Sequence, residues 1–557
     1  MAVRSVSVQV VVLSSVLVAL GAGCKRGHEE AKAPAPAAPA APGGAAAPEG
    51  TLLAAGNAQD LRLSPDRRWA VYLVQAKKPA LDGIPPQMRL GSARVVSTAG
   101  GAEPRALGDG VSNVPGGMLF TPDSHYLLYL TGYSPAGQSG DLNVLALQDQ
   151  DAAPQRVGRG VTYLLPSRDS KHLAFVEEGV LKVGALPAGP FQEVARDVAT
   201  ADFSPDGQWL LYTRRLTAGG GLEVVSTAKP TAPHKLGTQV GNFTVASDSK
   251  HVAFQVRSTD GSSLYDLYVA GFPELQPKRI AGGTHRFLFS PDGKWLARTE
   301  NGKSPQESGS VVVGPASGAP GRTLGERVEN ITFSPDSRAV AFLARFVPPP
   351  EPGGVGTLTL AQLPDGEPKK LGFRVPNYRF SPDGKRLAFL SRVTKPVYSV
   401  DLFTYALGEE KAARAQSGVF GYGFSTKGES LVFRTNCIRQ GRSCDLLEVP
   451  AEAAQAAAPQ AGAAAADVGT TPAARKLADG IYTYELSEDG RRALVSYARM
   501  EANRFDLAVL NLESGKQRTL DQGVQLPAFF VGEDGGRVVY VVDHGQTPGV
   551  YAAGDVP

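Results

Sequence analysis

One short turn motif, met again and again along the chain, constrains the fold more than any other feature. Its fullest copy is Phe380-Ser381-Pro382-Asp383-Gly384-Lys385-Arg386-Leu387-Ala388-Phe389-Leu390. Pro presets φ at the first turn position, Asp bonds its own nearby backbone, and Gly accepts the positive φ that closes a hairpin. The stretch therefore reads as strand, tight turn, strand. Versions recur at Ser64-Pro65-Asp66, Thr121-Pro122-Asp123, Ser167-Arg168-Asp169, Ser204-Pro205-Asp206-Gly207 and Ser247-Asp248-Ser249. They continue at Ser290-Pro291-Asp292-Gly293, Ser334-Pro335-Asp336, Ser425-Thr426-Lys427-Gly428, Ser487-Glu488-Asp489-Gly490 and Gly532-Glu533-Asp534-Gly535.

From Asp206 through Asp248, Asp292, Asp336 and Asp383 to Lys427 the spacings are 42, 44, 44, 47 and 44 residues. A period of 40 to 45 with several strands per unit is the pattern of propeller blades. The runs after the turns, such as Trp69 to Val74 and Ala339 to Leu343, are almost wholly apolar. A strand reads that way when both its faces are covered. Before the turns, apolar residues sit two apart, as at Tyr378 and Phe380 or Phe287 and Phe289. These mark the inner strand of each blade. The expected fold class is all-β, a β-propeller of about eleven four-stranded blades. Because eleven exceeds the usual 4 to 8 blades per ring, the first expectation is two consecutive rings, 51–320 and 321–557. One large ring is the alternative. Thr51-Leu52-Leu53-Ala54 reads as a fourth strand ahead of the first inner strand, and Val550-Tyr551-Ala552 as a third strand. An early strand can thus complete a late blade, which removes an exposed edge and fits one ring or two.

Phe-Ser-Pro-Asp-Gly-Lys-x-Leu-Ala-Phe, met in full at 380–389 and nearly at 289–297, resembles the WD40-like β-propeller repeat of the TolB family. Weaker matches run from about 61 to 543. The Gly-His and Trp-Asp pairs of true WD40 repeats are absent. The resemblance implies a periplasmic protein–protein interaction role.

The N-terminus reads as an export signal. Arg4 precedes a mostly apolar run from Val6 to Leu20, too short for a membrane span and followed by Gly21, Ala22 and Gly23. Small residues directly before Cys24 resemble a bacterial lipobox, although Leu20 lies four residues before the Cys instead of three. That resemblance implies a lipoprotein signal peptide over 1–23 and lipidation of Cys24; a plain secretory signal is the alternative. Residues 24–50 read as an Ala/Pro-rich tether, since Ala33 to Ala47 holds only Ala, Pro and Gly. Lys25 follows the Cys where an Asp would signal inner-membrane retention, so the outer membrane is expected. Ala451 to Ala466, within 451–474, reads as a loop protruding from a blade.

The remaining cysteines, Cys437 and Cys444, flank Ile-Arg-Gln-Gly-Arg-Ser. In an oxidising compartment they are expected to close this loop as a disulfide. Two free thiols are the alternative.

Function classes narrow by composition. The net charge of +3 and the lack of a long basic run give nucleic-acid binding little support. No Gly-x-Ser-x-Gly elbow marks a hydrolase. The seven His residues include no His-x-x-His pair, so no metal site and no cofactor is read. His172 and His251 follow their turns and are expected at solvent-facing blade edges. The recurring turn Asp is local turn chemistry in preference to calcium binding. Loops entering the inner strands gather around a propeller mouth, where function sits on a rigid scaffold. There the repeats differ: Tyr163, Asn242, His285, Arg286, Asn330, Asn377, Tyr378 and Tyr482 are the candidate binding residues, expected to meet a protein or peptide partner. Ordinary strand-end hydrogen bonding is the competing explanation. A glycan- or small-ligand-binding propeller, and after it a hydrolase or lyase, are the other functions weighed.

Overall fold

The computed structural model describes residues 50–554, except 82, 216–218, 260–263, 305–308, 348–353, 392–399, 439–440, 453–473, 501–502, 533–534 and 546. The expected signal peptide, Cys24 and nearly all of the tether lie outside the described residues, as does most of 451–474. Residues from 47 onward form one compact unit.

Every described element of length is a β-strand. The strands around Asp383 show the unit: Tyr378–Phe380, Arg386–Ser391, Asp401–Ala406 and Ala413–Gln416 form one antiparallel sheet in chain order. Seven sheets have this four-stranded form, and two have seven strands. Each of the latter is a pair of units joined through one long strand, Gln155–Pro166 in one and Gln517–Val531 in the other. Numbered along the chain, the units span 58–112, 118–158, 161–196, 198–237, 240–281, 287–325, 329–375, 378–416, 419–481, 483–524 and 525–553; we call them blades 1 to 11.

Blade 11 lacks a fourth strand of its own until Thr51–Ala55 pairs antiparallel with Gly549–Ala553, Thr51 opposite Ala552 and Ala55 opposite Gly549. The early strand completes a late blade, here the last, as its apolar pattern allows. The cores lie between blades, not within them. Ala297, Val311 and Val313 of blade 6 pack on Phe333, Val340 and Phe342 of blade 7. The same holds for each consecutive pair. Leu61, Tyr72 and Val74 of blade 1 pack on Val539, Val541 and Val550 of blade 11. The expected division near residue 320 falls inside blade 6, whose packing onto blade 7 is continuous. Two rings would each require an interface between non-consecutive blades, and among the described residues each core cluster joins neighbours in the cyclic order 1 to 11 to 1. That succession fits the one-ring alternative.

The hairpin turns carry more than local geometry. In blade 8 the Ser381 hydroxyl donates to Asp383 Oδ1 at 2.6 Å, the Lys385 amide donates to the same oxygen at 3.1 Å, and the Arg386 amide donates to Ser381 Oγ at 2.8 Å. Burial raises the Asp383 pKa, but the Ser381 hydroxyl, the Lys385 amide and the charges of Lys385 and Arg386 together hold it below its ordinary value. The fourth turn position is in the left-handed region in every blade, from Arg67 at φ 59 to Gly428 at φ 77. This position meets the preceding turn. Where it is Ser, its hydroxyl accepts the amide of the previous blade's Asp, as from Asp292 to Ser337 at 3.0 Å. Where it is Gly, a Cβ would crowd the previous turn, as at Gly384, where it would lie 2.8 Å from the Asp336 carboxyl. Arg67 continues this belt from blade 1 to blade 11, donating to the Phe530 carbonyl at 2.9 Å.

One junction breaks the pattern. Four residues into the second strand, nine blades bury an aromatic ring and blade 10 buries Val495. Blade 6 has Arg298, only 4% exposed, with Nε 2.7 Å from Glu300 and no partner at Nη1. The apolar cluster joining blades 5 and 6 is correspondingly small: Ala253, Leu267, Val269, Ala281 and Leu296.

Candidate functional site

The inner strands run from an entry end, where the chain arrives from the preceding blade, to the Ser-Pro-Asp hairpin end. At the entry ends of blades 5 to 8 lies an open cavity of ≈550 Å³. Asn242, His285, Arg286, Asn330, Asn377 and Tyr378 line it, together with Phe287, Leu288, Ile331 and Thr332. Six of the eight residues singled out by sequence are thus brought together. Asn242, Arg286, Asn330 and Asn377 share one repeat position, which puts them at one height at the entry of four neighbouring inner strands, with His285 and Tyr378 next to them in sequence.

The cavity's charges are largely cancelled. Arg286, half exposed, places Nη2 2.7 Å from Glu329 Oε2. Burial pushes the His285 imidazole below its ordinary pKa, and the nearby Glu329 carboxylate only partly offsets this. His285 Nε2 is buried without a hydrogen-bond partner, beside Gly302, where any Cβ would collide with the ring. The amides of His285 and Arg286 both donate to Thr299 Oγ1, at 3.0 and 3.1 Å, which fixes this entry loop on the second strand of its own blade. Asn242 uses its side-chain oxygen to accept the Phe243 amide at 2.9 Å. Asn330 adopts φ 54, a conformation Asn tolerates better than most residues. The cavity is therefore a neutral, amide-rich site with one ion pair on its wall.

The tyrosines have a different role from the one expected. Tyr378 is buried enough that its pKa is pushed up, and its hydroxyl donates to the Ala341 carbonyl of blade 7 at 2.8 Å. Tyr422 and Tyr484 make the equivalent bond to Ala388 and Val432 of their preceding blades, at 3.1 and 3.0 Å. Tyr163 ties forward, to Ala201 of blade 4 at 2.9 Å, and does not line the cavity. Tyr482 packs its ring against Phe505, with centroids 5.0 Å apart, also away from it. Ordinary strand-end hydrogen bonding, the competing explanation, accounts for Tyr163, whereas Tyr482 is engaged in ring packing.

Sequence reasoning passed over Glu329, although it directly precedes Asn330 and decides the charge of the site. Its only signal was its place one residue ahead of a candidate position. Cys437 and Cys444 form the expected disulfide. His172 and His251 are half-buried, and His172 faces Phe203 of the next blade with ring centroids 6.3 Å apart. Among the described residues no group of three or more His, Cys, Asp or Glu side chains converges as a metal site would require.

Comparison with known proteins yields no matching family model and no matching curated protein. Solved structures with related folds include a eukaryotic initiation factor, at 12% identity and TM-score 0.40, covering 72% of this chain and 94% of that one. A tricorn protease matches at 12% identity and TM-score 0.30, over 82% of this chain and 51% of its own. A putative TolB from Agrobacterium tumefaciens matches at 15% identity and TM-score 0.24, over 39% of this chain and 83% of its own. The blade assignments rest on the sheets themselves.

Proposed function

We propose that this protein is an interaction scaffold of the bacterial cell envelope, a single closed ring of eleven blades tethered to the outer membrane through lipidated Cys24. One observation carries the scaffold reading. Where the repeats agree, at the hairpins, the turn side chains are spent on holding blades together; where they differ, at the entry ends, six polar and aromatic residues converge on one open cavity. Rigid scaffolds with variable loop ends are how repeat proteins present binding surfaces. The disulfide suits an oxidising compartment. Arg286 and Glu329 neutralise each other, which suits recognition better than acid–base chemistry, so the reading is non-catalytic. The test is a folded Arg286→Ala/Asn377→Ala double variant assayed for capture of envelope proteins from the producing cell. Loss of a specific partner supports the reading, and unchanged capture removes it. A second reading, a small polar ligand or glycan in the cavity, is favoured by its ≈550 Å³, within the range of ligand pockets. A thermal-shift screen with sugars separates the two.

A further inference from the structure

Beside the cavity, the same end of blades 7 and 9 exposes four large apolar side chains. Val347 is 50% exposed, Phe373 50%, Phe420 57% and Ile438 60%. All four sit where strands leave or enter the entry-end loops, and so share one face. They are held in place. The loop closed by Cys437–Cys444 sets Gly441 against the Phe420 ring, where a Cβ would lie 3.0 Å from it. The same ring carries the Arg434 guanidinium, 5.5 Å from its centroid and anchored to the Tyr482 carbonyl at 2.6 Å. A disulfide-pinned, Arg-backed phenylalanine left over half exposed is a preorganised anchor, the kind of group that carries binding energy at protein interfaces.

The exposed charges around these groups are predominantly positive. Arg327, Arg345 and Arg442 are exposed on this face. The carboxylates nearby are mostly engaged: Glu329 with Arg286 at 2.7 Å, Asp401 with Arg414 at 3.9 Å, and Asp445 and Asp479 with Lys476. Among the described residues of the sector, Glu326 is the remaining one. The excess is arginine throughout, whose planar fork matches carboxylates in two-pronged pairs.

Resting on the scaffold reading above, we propose that this sector docks an acidic segment of a partner protein, studded with apolar side chains that seat on Phe373, Phe420 and Ile438. The arginines select the charge and the apolar side chains supply the anchor.

The probe is a fluorescein-labelled twelve-residue peptide alternating Glu with Phe and Leu, titrated with the full chain by anisotropy. Its controls replace Glu by Lys, or Phe and Leu by Ser. The acidic apolar peptide is expected to bind at least tenfold more tightly than either control and to weaken as salt rises. Phe420→Ala and Arg442→Glu should each weaken it at least fivefold with unchanged melting temperature, and Phe420→Trp should retain it. Equal binding of acidic and basic peptides, or no binding at about 1 mM, overturns the proposal. So does concentration-dependent self-association in sedimentation that Phe420→Ala abolishes, which would make the occupant a second copy of the chain. If capture of a partner depends on Arg286 and Asn377 while the peptide fails to bind, this inference falls and the scaffold reading stands. If capture ignores both sets of substitutions, the scaffold reading falls.

Discussion

Arg298 offers a quantitative test of how the blades are held. Its side chain is nearly fully buried, bonded to Glu300 through Nε, and without a partner at Nη1. Leaving a buried donor unmade costs about 1 to 3 kcal/mol, and exchanging a buried ion pair for apolar side chains stabilises by about 1 to 4 kcal/mol. Glu300, 22% exposed at a strand end, can hydrate once unpaired. Arg298→Phe removes only one partner, so its gain is the relief of the unmade Nη1 donor, about 2 kcal/mol. The ring also needs room. Phe175, Phe254, Phe342 and Phe389 each lie against a glycine of the preceding blade, Gly158, Gly237, Gly325 and Gly372, whose added Cβ would come within 2.5 to 3.1 Å of the ring. Ladder pairing puts Ala281 in that place opposite Leu267, as Gly237 lies opposite Leu222 and Gly325 opposite Val311. Forcing a ring against that methyl costs about 1 to 3 kcal/mol. The single Arg298→Phe variant should then be near neutral. Ala281→Gly alone should lose about 1 kcal/mol of strand stability. Together they should gain about 1 kcal/mol, a coupling of about 2 kcal/mol in a double-mutant cycle. Ala195, which faces Tyr212 in the same ladder position, shows that the single variant can fold. The assay is the denaturant midpoint of all four proteins. Zero or negative coupling would refute the view that blade junctions are ring-into-glycine contacts.

Three further outcomes are expected. Asp383→Ala removes an acceptor of two hydrogen bonds from a mostly exposed turn, so it should cost about 1 kcal/mol by melting and leave partner capture intact. Acid should act through the same turns: Asp123, Asp292, Asp383 and Asp489 all have folded pKa values below their ordinary value of 3.8. Their contribution is present above about pH 4 and is lost as pH falls through the depressed folded values, because the unfolded chain then binds more protons. A stability–pH curve flat down to about pH 2 would show these bonds to be inert. Deleting 51–55 strips the edge of Gly549–Ala553 and uncovers the site of Leu53 and Ala54. It should lower the melting temperature by several degrees (a loss of about 3 kcal/mol in buried apolar area) and promote aggregation through the bared edge. An unchanged monomer would contradict ring closure.

The fold was legible because its signal is repeated. A single Ser-Pro-Asp-Gly specifies a hairpin, but the spacing of its many copies specifies a propeller, and the apolar phase of Thr51 to Ala54 already indicated that it can complete a late blade. Ring number was not legible, since closure depends on which blade meets which, and apolar strands such as Val538 to Val542 would pack equally well in either arrangement. The site was legible by exception. Asn242, Arg286, Asn330 and Asn377 stand out because equivalent positions should otherwise be interchangeable. The tyrosines misled because an aromatic at a strand entry looks the same in sequence whether its hydroxyl meets a ligand or a neighbouring blade's carbonyl. Glu329 was missed for the opposite reason: a lone carboxylate has no period, and its effect depends on a 2.7 Å contact with a residue on another blade.

The central claim is that binding occurs at the entry end of the ring and not at its hairpin end. Asn377 directly precedes the inner strand of blade 8 and Lys385 lies in the hairpin beyond its other end, both exposed. A photo-crosslinking benzoylphenylalanine at each position, in turn, in the producing cell reads the two faces directly. The account predicts a discrete protein adduct from position 377 and none from 385; adducts from 385 alone would contradict it.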